Sequence, residues 1–187
     1  WIVIHLPQLA LEVVHPRWSD ELAMVVLEQQ RVMALSRLAW QAGIRTGMRL
    51  SGVQMLHHDT VIKQRDLHKE TNALHAVAMS CLQFSPQVSV LDPANVLINI
   101  GASLRLFGGA RRLRRMILGT VHQLGFSAQW GLSITSGGAY LLAQSAERNR
   151  SRSALQLAKL QRHLNALPLQ LLPAAAKCSD WLHSIGC

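Results

Sequence analysis

The chain is 187 residues long and 49% hydrophobic, a composition that predicts one sizeable core with room for a small second unit. Its 19 Lys and Arg outnumber its 10 Asp and Glu, and the net charge of +9 favours a polyanionic partner such as nucleic acid over an acidic small molecule, with a generic basic surface as the alternative. No apolar run approaches the ~18 residues of a membrane span, so no membrane association is expected.

The first third of the chain predicts a strand, a hairpin and two short helices. Residues 1–5 have the composition of a buried strand. The apolar runs 24–27 and 32–35 are separated by the polar residues 28–31, as in a hairpin. Residues 36–55 are predicted to form two short helices, because glycines interrupt the helical pattern near their middle.

The centre of the chain predicts a helix followed by a second hairpin. Apolar residues recur at helical spacing from residue 67 to about residue 84. The apolar runs 88–91 and 96–100 flank residues 92–95, whose Asp-Pro-Ala-Asn sequence is typical of a turn.

A second long helix is predicted from residue 110 to about residue 124, with Gly125 placed to end it. Its expected apolar stripe consists of Leu113, Met116, Ile117, Val121 and Leu124. A strand over residues 127–133 and a helix over residues 139–146 should follow. Together these elements predict an α+β fold, an antiparallel-rich sheet with helices packed on one face.

The composition changes after Glu147. Residues 148–153 are polar and basic, which is typical of a linker or a domain boundary. A small helical unit is expected beyond it, with a short helix within residues 174–185. The chain starts without Met and ends without a polar tail, so we expect it to be truncated.

Three segments, in this order and spacing, carry a family resemblance: residues 1–12 (WIVIHLPQLALE), 42–48 (AGIRTGM) and 101–109 (GASLRLFGG). Over nearly its whole length the chain resembles the Y-family (UmuC-like) lesion-bypass DNA polymerases. Within that family it is most similar to the ImuB-type branch, which is regarded as polymerase-like but inactive. The resemblance implies a palm formed by residues 1–15 and 66–147, small fingers at 16–65, and a linker and partial thumb at 148–187 with the start of a helix-hairpin-helix.

The catalytic pattern of that family is not retained. Polymerisation needs carboxylates on the first strand and in the central hairpin, because two divalent metal ions must be held against a triphosphate and the attacking hydroxyl. The first-strand position is His5, and of the hairpin pair only Asp92 remains. The resemblance therefore implies no catalytic residue, no metal ligand and no cofactor, with Mg²⁺ entering only if substitute ligands keep the enzyme active.

The nucleotide pocket differs as well. The aromatic sugar gate of the family falls on Ala10, and its triphosphate-binding Tyr and Arg fall on Arg37 and Trp40. An Asn-Lys pair that follows the last strand falls near Thr135 and Ser136. Their combined loss predicts that no triphosphate clamp is present.

The remaining candidate ligands have structural interpretations. His5 lies on an apolar strand, which favours a core histidine with its hydrogen bonds satisfied. Asp92 precedes Pro93 and is predicted to be a turn residue. The cluster of His57, His58 and Asp59 could suggest a metal site, but adjacent side chains on a helix point apart and no fourth ligand has suitable spacing.

A group of arginines is predicted to bind nucleic acid: Arg105, Arg111, Arg112, Arg114 and Arg115. No Asp or Glu occurs from residue 93 to residue 146, so no neighbour in sequence neutralises them. Four of them open a helix, where cations oppose the helix dipole and an anion would compensate. The alternatives are a solvated face paired with carboxylates elsewhere in the fold and a contact with an acidic protein.

Three functions follow as hypotheses. Resemblance to the ImuB-type branch implies a non-catalytic scaffold in damage-induced, SOS-type mutagenesis, working on DNA with a separate replicative-type polymerase, a sliding clamp and a RecA-like accessory protein. The second is an active lesion-bypass polymerase with substitute metal ligands, and the third is a binding module unrelated to mutagenesis. The odd number of cysteines, without CxxC spacing, favours a reducing, cytoplasmic location.

Overall fold

The computed structural model describes residues 1–17, 21–145, 152–168 and 171–172. The helices in these ranges are α1 (Leu9–Glu12), α2 (Arg37–Gln41), α3 (Leu50–Leu56), α4 (Leu67–Cys81), α5 (Ala110–Gln123), α6 (Ser136–Gln144) and α7 (Leu157–Leu164). The strands are β1 (Ile2–His5), β2 (Met24–Glu28), β3 (Arg31–Leu35), β4 (Val61–Gln64), β5 (Val88–Leu91), β6 (Asn95–Ile98), β7 (Gln129–Ser133) and β8 (Ser153–Ala154). The predicted α+β fold is confirmed.

The main sheet has five strands in the order β5-β6-β1-β7-β8. β1 lies at its centre, antiparallel to β6 on one side and to β7 on the other, so that Ile4 faces Val96 and Trp130. β8 pairs with β7 in parallel at one edge. Both predicted hairpins are present, β2-β3 in the second sheet and β5-β6 in this one.

The two long helices α4 and α5 cover one face of the main sheet. Alternation along β1 directs Ile2 and Ile4 to this face, where they join the largest apolar cluster of the structure. The helices contribute their buried residues to it at helical spacing: Leu74, Val77, Ala78 and Cys81 from α4, and Leu113, Ile117 and Val121 from α5. The stripe predicted for α5 was too wide, since Met116 and Leu124 are 39% and 36% exposed.

The opposite face of the sheet is covered by α6, so the expectation that all helices lie on one face was wrong in this detail. Val3 points to this side and packs against Ala139 and Ala143 of α6. Gly131 makes the close approach possible, because a Cβ at that position would collide with the backbone of both alanines. Small residues on the strand and the helix therefore add a layer that hydrophobic periodicity alone did not indicate.

The second sheet has the order β3-β2-β4 and, with α2 and α3, encloses a core of its own. The motif at residues 42–48 contributes the fully buried Ile44 to this core. Its Gly43 and Gly47 have φ angles of 92° and 82°, a backbone conformation that favours glycine. β4 was not predicted, because only two of its four residues are apolar and it pairs in parallel with β2, without a hairpin turn to mark it. The single-turn α1 was also missed.

An ion-pair network joins the two sheets where β4 leads into α4. The guanidinium of Arg65 donates to both carboxylate oxygens of Glu70 at 2.8 Å and to Glu28 of β2 at 2.9 Å. These carboxylates raise the pKa of Arg65. The Arg65 and Glu70 side chains are only 21% and 10% exposed, so this pair is partly shielded from water, while Glu28 is 46% exposed; together the three side chains tie β2 to α4.

The expected linker and thumb are described only in part. Ser153, in the expected linker, belongs to β8 and pairs with Leu132, and α7 follows. Residues 148–151 and the helix predicted within 174–185 lie outside the described residues. In the part of the chain that the structure describes, no helix is long and apolar enough to cross a membrane.

Candidate functional site

Three polar side chains meet where β1 ends. His5 lies directly across from Asn95 on β6, and its Nδ1 is 3.1 Å from the Asn95 Oδ1. The Gln144 side chain, at the end of α6, donates to the same Oδ1 at 2.9 Å. We call His5, Asn95 and Gln144 the polar triad. It lies on the α6 side of the sheet, because His5 follows Ile4 and alternates with it.

The polar triad carries no carboxylate. Burial lowers the pKa of His5 below its ordinary value of 6.5, although the hydrogen bond with Asn95 opposes the shift, so the imidazole is neutral at neutral pH. Asn95 is fully buried, and its Nδ2 has no hydrogen-bond partner among the described residues. The site is thus an uncharged hydrogen-bonded cluster.

Asp92 does not reach the polar triad. It lies in the exposed turn between β5 and β6, as predicted, while Asn95 occupies the strand position across from His5. Within residues 1–17, 21–145, 152–168 and 171–172, no three His, Cys, Asp or Glu side chains lie close enough together to hold a metal ion. Mg²⁺ needs charged oxygen ligands, so a neutral imidazole and two amides do not fit the metal pair that the family resemblance implies.

The positions expected to form a nucleotide pocket have other partners. Ala10 is buried against β2, next to Met24 and Val26. The guanidinium of Arg37 is held by both carboxylate oxygens of Glu21 at 2.8 Å. Trp40 is 56% exposed, and the Arg45 guanidinium lies over its ring at 4.8 Å.

A groove of about 860 Å³ separates α1 from α2. It is lined by residues of α1, by the segment that follows α1, and by Ser36 and Arg37. Its buried carboxylate, Glu12, accepts a hydrogen bond from the backbone N–H of Ser127 at 2.8 Å. Both Glu12 and Arg37 therefore have partners within the protein.

The other candidate ligand positions are also separated from the polar triad. Thr135 and Ser136 begin α6 beside Trp1, at the end of β1 opposite to His5, since Ser133 pairs through its backbone with Trp1. His57 is within hydrogen-bond distance of Thr60 at 3.1 Å, and His58 and Asp59 are more than 90% exposed. Among the described residues, His57, His58 and Asp59 do not belong to any group of three side chains that could hold a metal ion.

The structure brings two of the five arginines predicted to bind nucleic acid into one pocket. Arg105 is exposed in the turns before α5, and Arg112 and Arg115 are exposed on α5 itself. Arg111 and Arg114, three residues apart on the helix, line a pocket of about 640 Å³. None of the five forms an ion pair with a carboxylate within the described ranges, so the alternative of a face paired with carboxylates finds no support there.

The pocket of about 640 Å³, which we call the basic pocket, gathers four cations and a tryptophan. Its lining includes Arg111, Arg114, Arg152, Lys159 and Trp130. It lies on the α5 side of the main sheet, because Trp130 pairs with Ile4, whose side chain faces that side. The basic pocket and the polar triad are therefore on opposite faces of the sheet.

Sequence reasoning missed Asn95, Gln144, Trp130, Arg152 and Lys159. Asn95 was predicted to be a turn residue. Gln144 becomes a candidate only in the folded chain, where α6 brings it to Asn95. The charge of Arg152 was visible in the basic linker, but nothing local indicated that a neighbouring strand would place it beside α5.

The comparisons with known proteins bear on the fold. The family model described as "IMS: impB/mucB/samB family" matches residues 10–144. An insertion ternary complex of Dbh DNA polymerase is similar to this chain with a TM-score of 0.74 and 14% identity, over 99% of this chain and 57% of that one. A DinB family error-prone DNA polymerase from Sulfolobus solfataricus matches with a TM-score of 0.62 and 14% identity, over 99% and 56%. The chain thus spans little more than half the length of these polymerases, and no curated protein matches it significantly.

Proposed function

Because this chain belongs to the impB/mucB/samB family and is a homologue of the Y-family DNA polymerases, we propose that it is a non-catalytic, polymerase-like scaffold in error-prone translesion DNA synthesis. The observation that carries the proposal is the polar triad. In it, His5, at the first-strand position that the family resemblance assigns to a carboxylate, is a neutral imidazole next to two amides.

The electrostatics of the polar triad support the loss of chemistry. Two Mg²⁺ ions bring four positive charges, and a pocket without an ionised group supplies nothing to offset their dehydration. Protonation of His5 would add a further positive charge. Asp92 is a single carboxylate in an exposed turn, and one ligand does not hold a metal pair.

The family motifs that the chain retains are structural. The motif at 42–48 closes the core of the second sheet through the buried Ile44. In the motif at 101–109, Ser103 is buried and Phe107 packs edge-to-face on Phe84, with ring centroids 5.7 Å apart. The retained motifs thus maintain the fold, whereas the carboxylates needed for metal binding are missing, as expected for a non-catalytic scaffold.

The proposal includes a domain assignment and a set of partners. We assign residues 1–15 and 66–147 to the palm, 16–65 to the fingers, and 148–187 to a linker and partial thumb. DNA is the proposed ligand, in keeping with the net charge of +9 and with the DNA polymerases of similar fold. Membership of the ImuB-type branch, a cytoplasmic location, and association with a separate polymerase, a sliding clamp and a RecA-like protein stay proposals that rest on the resemblance.

An active polymerase with substitute ligands is the second candidate, favoured by one observation. Asp92 lies in the turn between β5 and β6 and forms no ion pair among the described residues, so its carboxylate is available to a cation.

Primer extension by the full-length protein separates the two candidates. With Mg²⁺ or Mn²⁺, a labelled primer–template and all four nucleotides, we expect no template-dependent addition by the wild type or by Asp92→Ala, while an active Y-family polymerase extends the same primer. Extension by the wild type that Asp92→Ala abolishes would overturn the scaffold proposal.

A further inference from the structure

The basic pocket has two walls that come from distant parts of the chain. Arg111 and Arg114 project from the first turns of α5. Arg152 directly precedes β8, at the end of the polar stretch 148–153, and Lys159 belongs to α7. Arg114, Arg152 and Lys159 are half-buried and Arg111 is exposed. Arg112 and Arg115 of the same helix are exposed as well but lie outside the pocket. The fold therefore selects two of the four α5 arginines and adds one cation from the end of the linker and one from α7.

Among the described residues, the four cations have no carboxylate as a counter-charge. No acidic residue lines the basic pocket, and none of its cations forms an ion pair with a carboxylate in the described ranges. Like charges in a concave, partly dehydrated site repel one another more strongly than on an open surface. A bound anion with several charges relieves this repulsion and holds the two walls together.

Trp130 fixes one of the cations. The Arg114 guanidinium carbon lies over its ring, 4.2 Å from the ring centre, and within the described residues its N–H groups donate no hydrogen bond, so they can reach an external acceptor. A guanidinium fixed in this way presents paired donors to a phosphate and a flat surface to a base.

We propose that the basic pocket binds the phosphodiester backbone of single-stranded nucleic acid. A concave site of about 640 Å³ admits one or two phosphates of a flexible strand, whereas an intact duplex is stiff and convex and contacts only the rim. The site lies on the opposite face of the sheet from the polar triad, so the strand it takes is separate from any nucleic acid that approaches His5. This inference rests on the proposed nucleic-acid role of the protein but not on whether the protein is catalytically inactive.

Matched double variants of the full-length protein provide the test. Arg111→Gln/Arg114→Gln removes two charges from one wall of the basic pocket, and Arg152→Gln/Lys159→Gln removes two from the other. Arg112→Gln/Arg115→Gln removes the same charge from the same helix outside the pocket and is the control. Binding to a labelled oligothymidylate of about 20 nucleotides is measured by fluorescence anisotropy between about 50 and 200 mM NaCl.

Each lost contact with single-stranded phosphate lowers the slope of log K against log salt by about 0.7. Since the pocket admits one or two phosphates, we expect each pocket variant to lose about 0.7 from the slope, and the control variant to keep the wild-type slope. Circular dichroism checks that the variants fold, and since the two walls belong to different segments, a folding defect in one leaves the other as a test.

Three results would overturn the proposal. The first is an equal loss of slope in the control variant, which would assign binding to the whole charged surface. The second is that unlabelled duplex DNA displaces the labelled oligothymidylate as well as unlabelled single strand does at the same phosphate concentration. The third is a polyglutamate peptide whose binding depends on the pocket residues while oligothymidylate binding does not, which would indicate an acidic protein partner. Primer extension is scored separately, so failure of the scaffold proposal is distinguishable from failure of this one.

Discussion

His5 and Asn95 face each other across two neighbouring strands, with the imidazole Nδ1 3.1 Å from the amide Oδ1. The pair is completed by Gln144, which donates to the same oxygen from α6. The end of β1 is thus held by hydrogen bonds among a neutral imidazole and two amides, without a charged group. These hydrogen bonds connect β1, β6 and α6 at the position of His5, where the family resemblance implies a carboxylate.

The burial of His5 predicts that the protein loses stability in mild acid. Its pKa is lowered from 6.5 chiefly by burial, so between the folded and unfolded pKa values the unfolded state binds more protons. The free energy of unfolding should therefore fall as the pH drops through 6.5, and level off below the folded pKa. Urea unfolding at a series of pH values measures this dependence.

Two variants separate the contributions to that dependence. His5→Gln should flatten it, and His122→Gln should flatten it further, because burial and Arg17 also lower the pKa of His122. A pH dependence unchanged in His5→Gln would show that the imidazole titrates alike in the folded and unfolded states.

The Arg65 network predicts a stability cost at the joint between the two sheets. Arg65→Ala leaves Glu70, with a side chain only 10% exposed, as an uncompensated charge. We expect a loss of about 2 kcal/mol in the free energy of unfolding, below the ~3–5 kcal/mol of a fully buried pair because Glu28 is partly solvated.

The control for Arg65 is the exposed pair of Arg37 and Glu21, which has the same 2.8 Å geometry. Arg37→Ala should leave stability unchanged, because water screens this pair. Equal effects of the two variants in chemical denaturation would contradict a special role for the network.

Gly131 predicts a strong steric effect on the α6 layer. A Cβ there would meet the Ala139 carbonyl oxygen and the Ala143 amide, which are backbone atoms and cannot rotate away. Gly131→Ala should cost about 3 kcal/mol and shift the thermal midpoint accordingly.

Gly119 in α5 is the matched control, since a Cβ at that position has open space around it. Gly119→Ala should stabilise the protein by about 0.5–1 kcal/mol through the higher helix propensity of alanine. A Gly131→Ala protein as stable as Gly119→Ala would mean that α6 can move away from the sheet without cost.

Many elements follow from local patterns. The strand at Ile2–His5, the hairpin of β2 and β3, and the helices α4 and α5 were predicted because each carries its own apolar periodicity and turn residues. The absence of carboxylates was equally readable, since His5 and the acid-free window from 93 to 146 are properties of the residues themselves. The sequence by itself therefore determines that carboxylates are missing from these positions.

Only the tertiary structure decided which residues act together. His5 and Gln144 are 139 positions apart in the sequence. They meet because α6 packs closely against the main sheet, which is possible only because Gly131 has no side chain. Arg114 and Lys159 share a pocket because β8 pairs with β7, while Arg115, next in sequence to Arg114, points elsewhere. Contacts at such separations depend on how helices and strands pack across the whole core, and no local pattern encodes that.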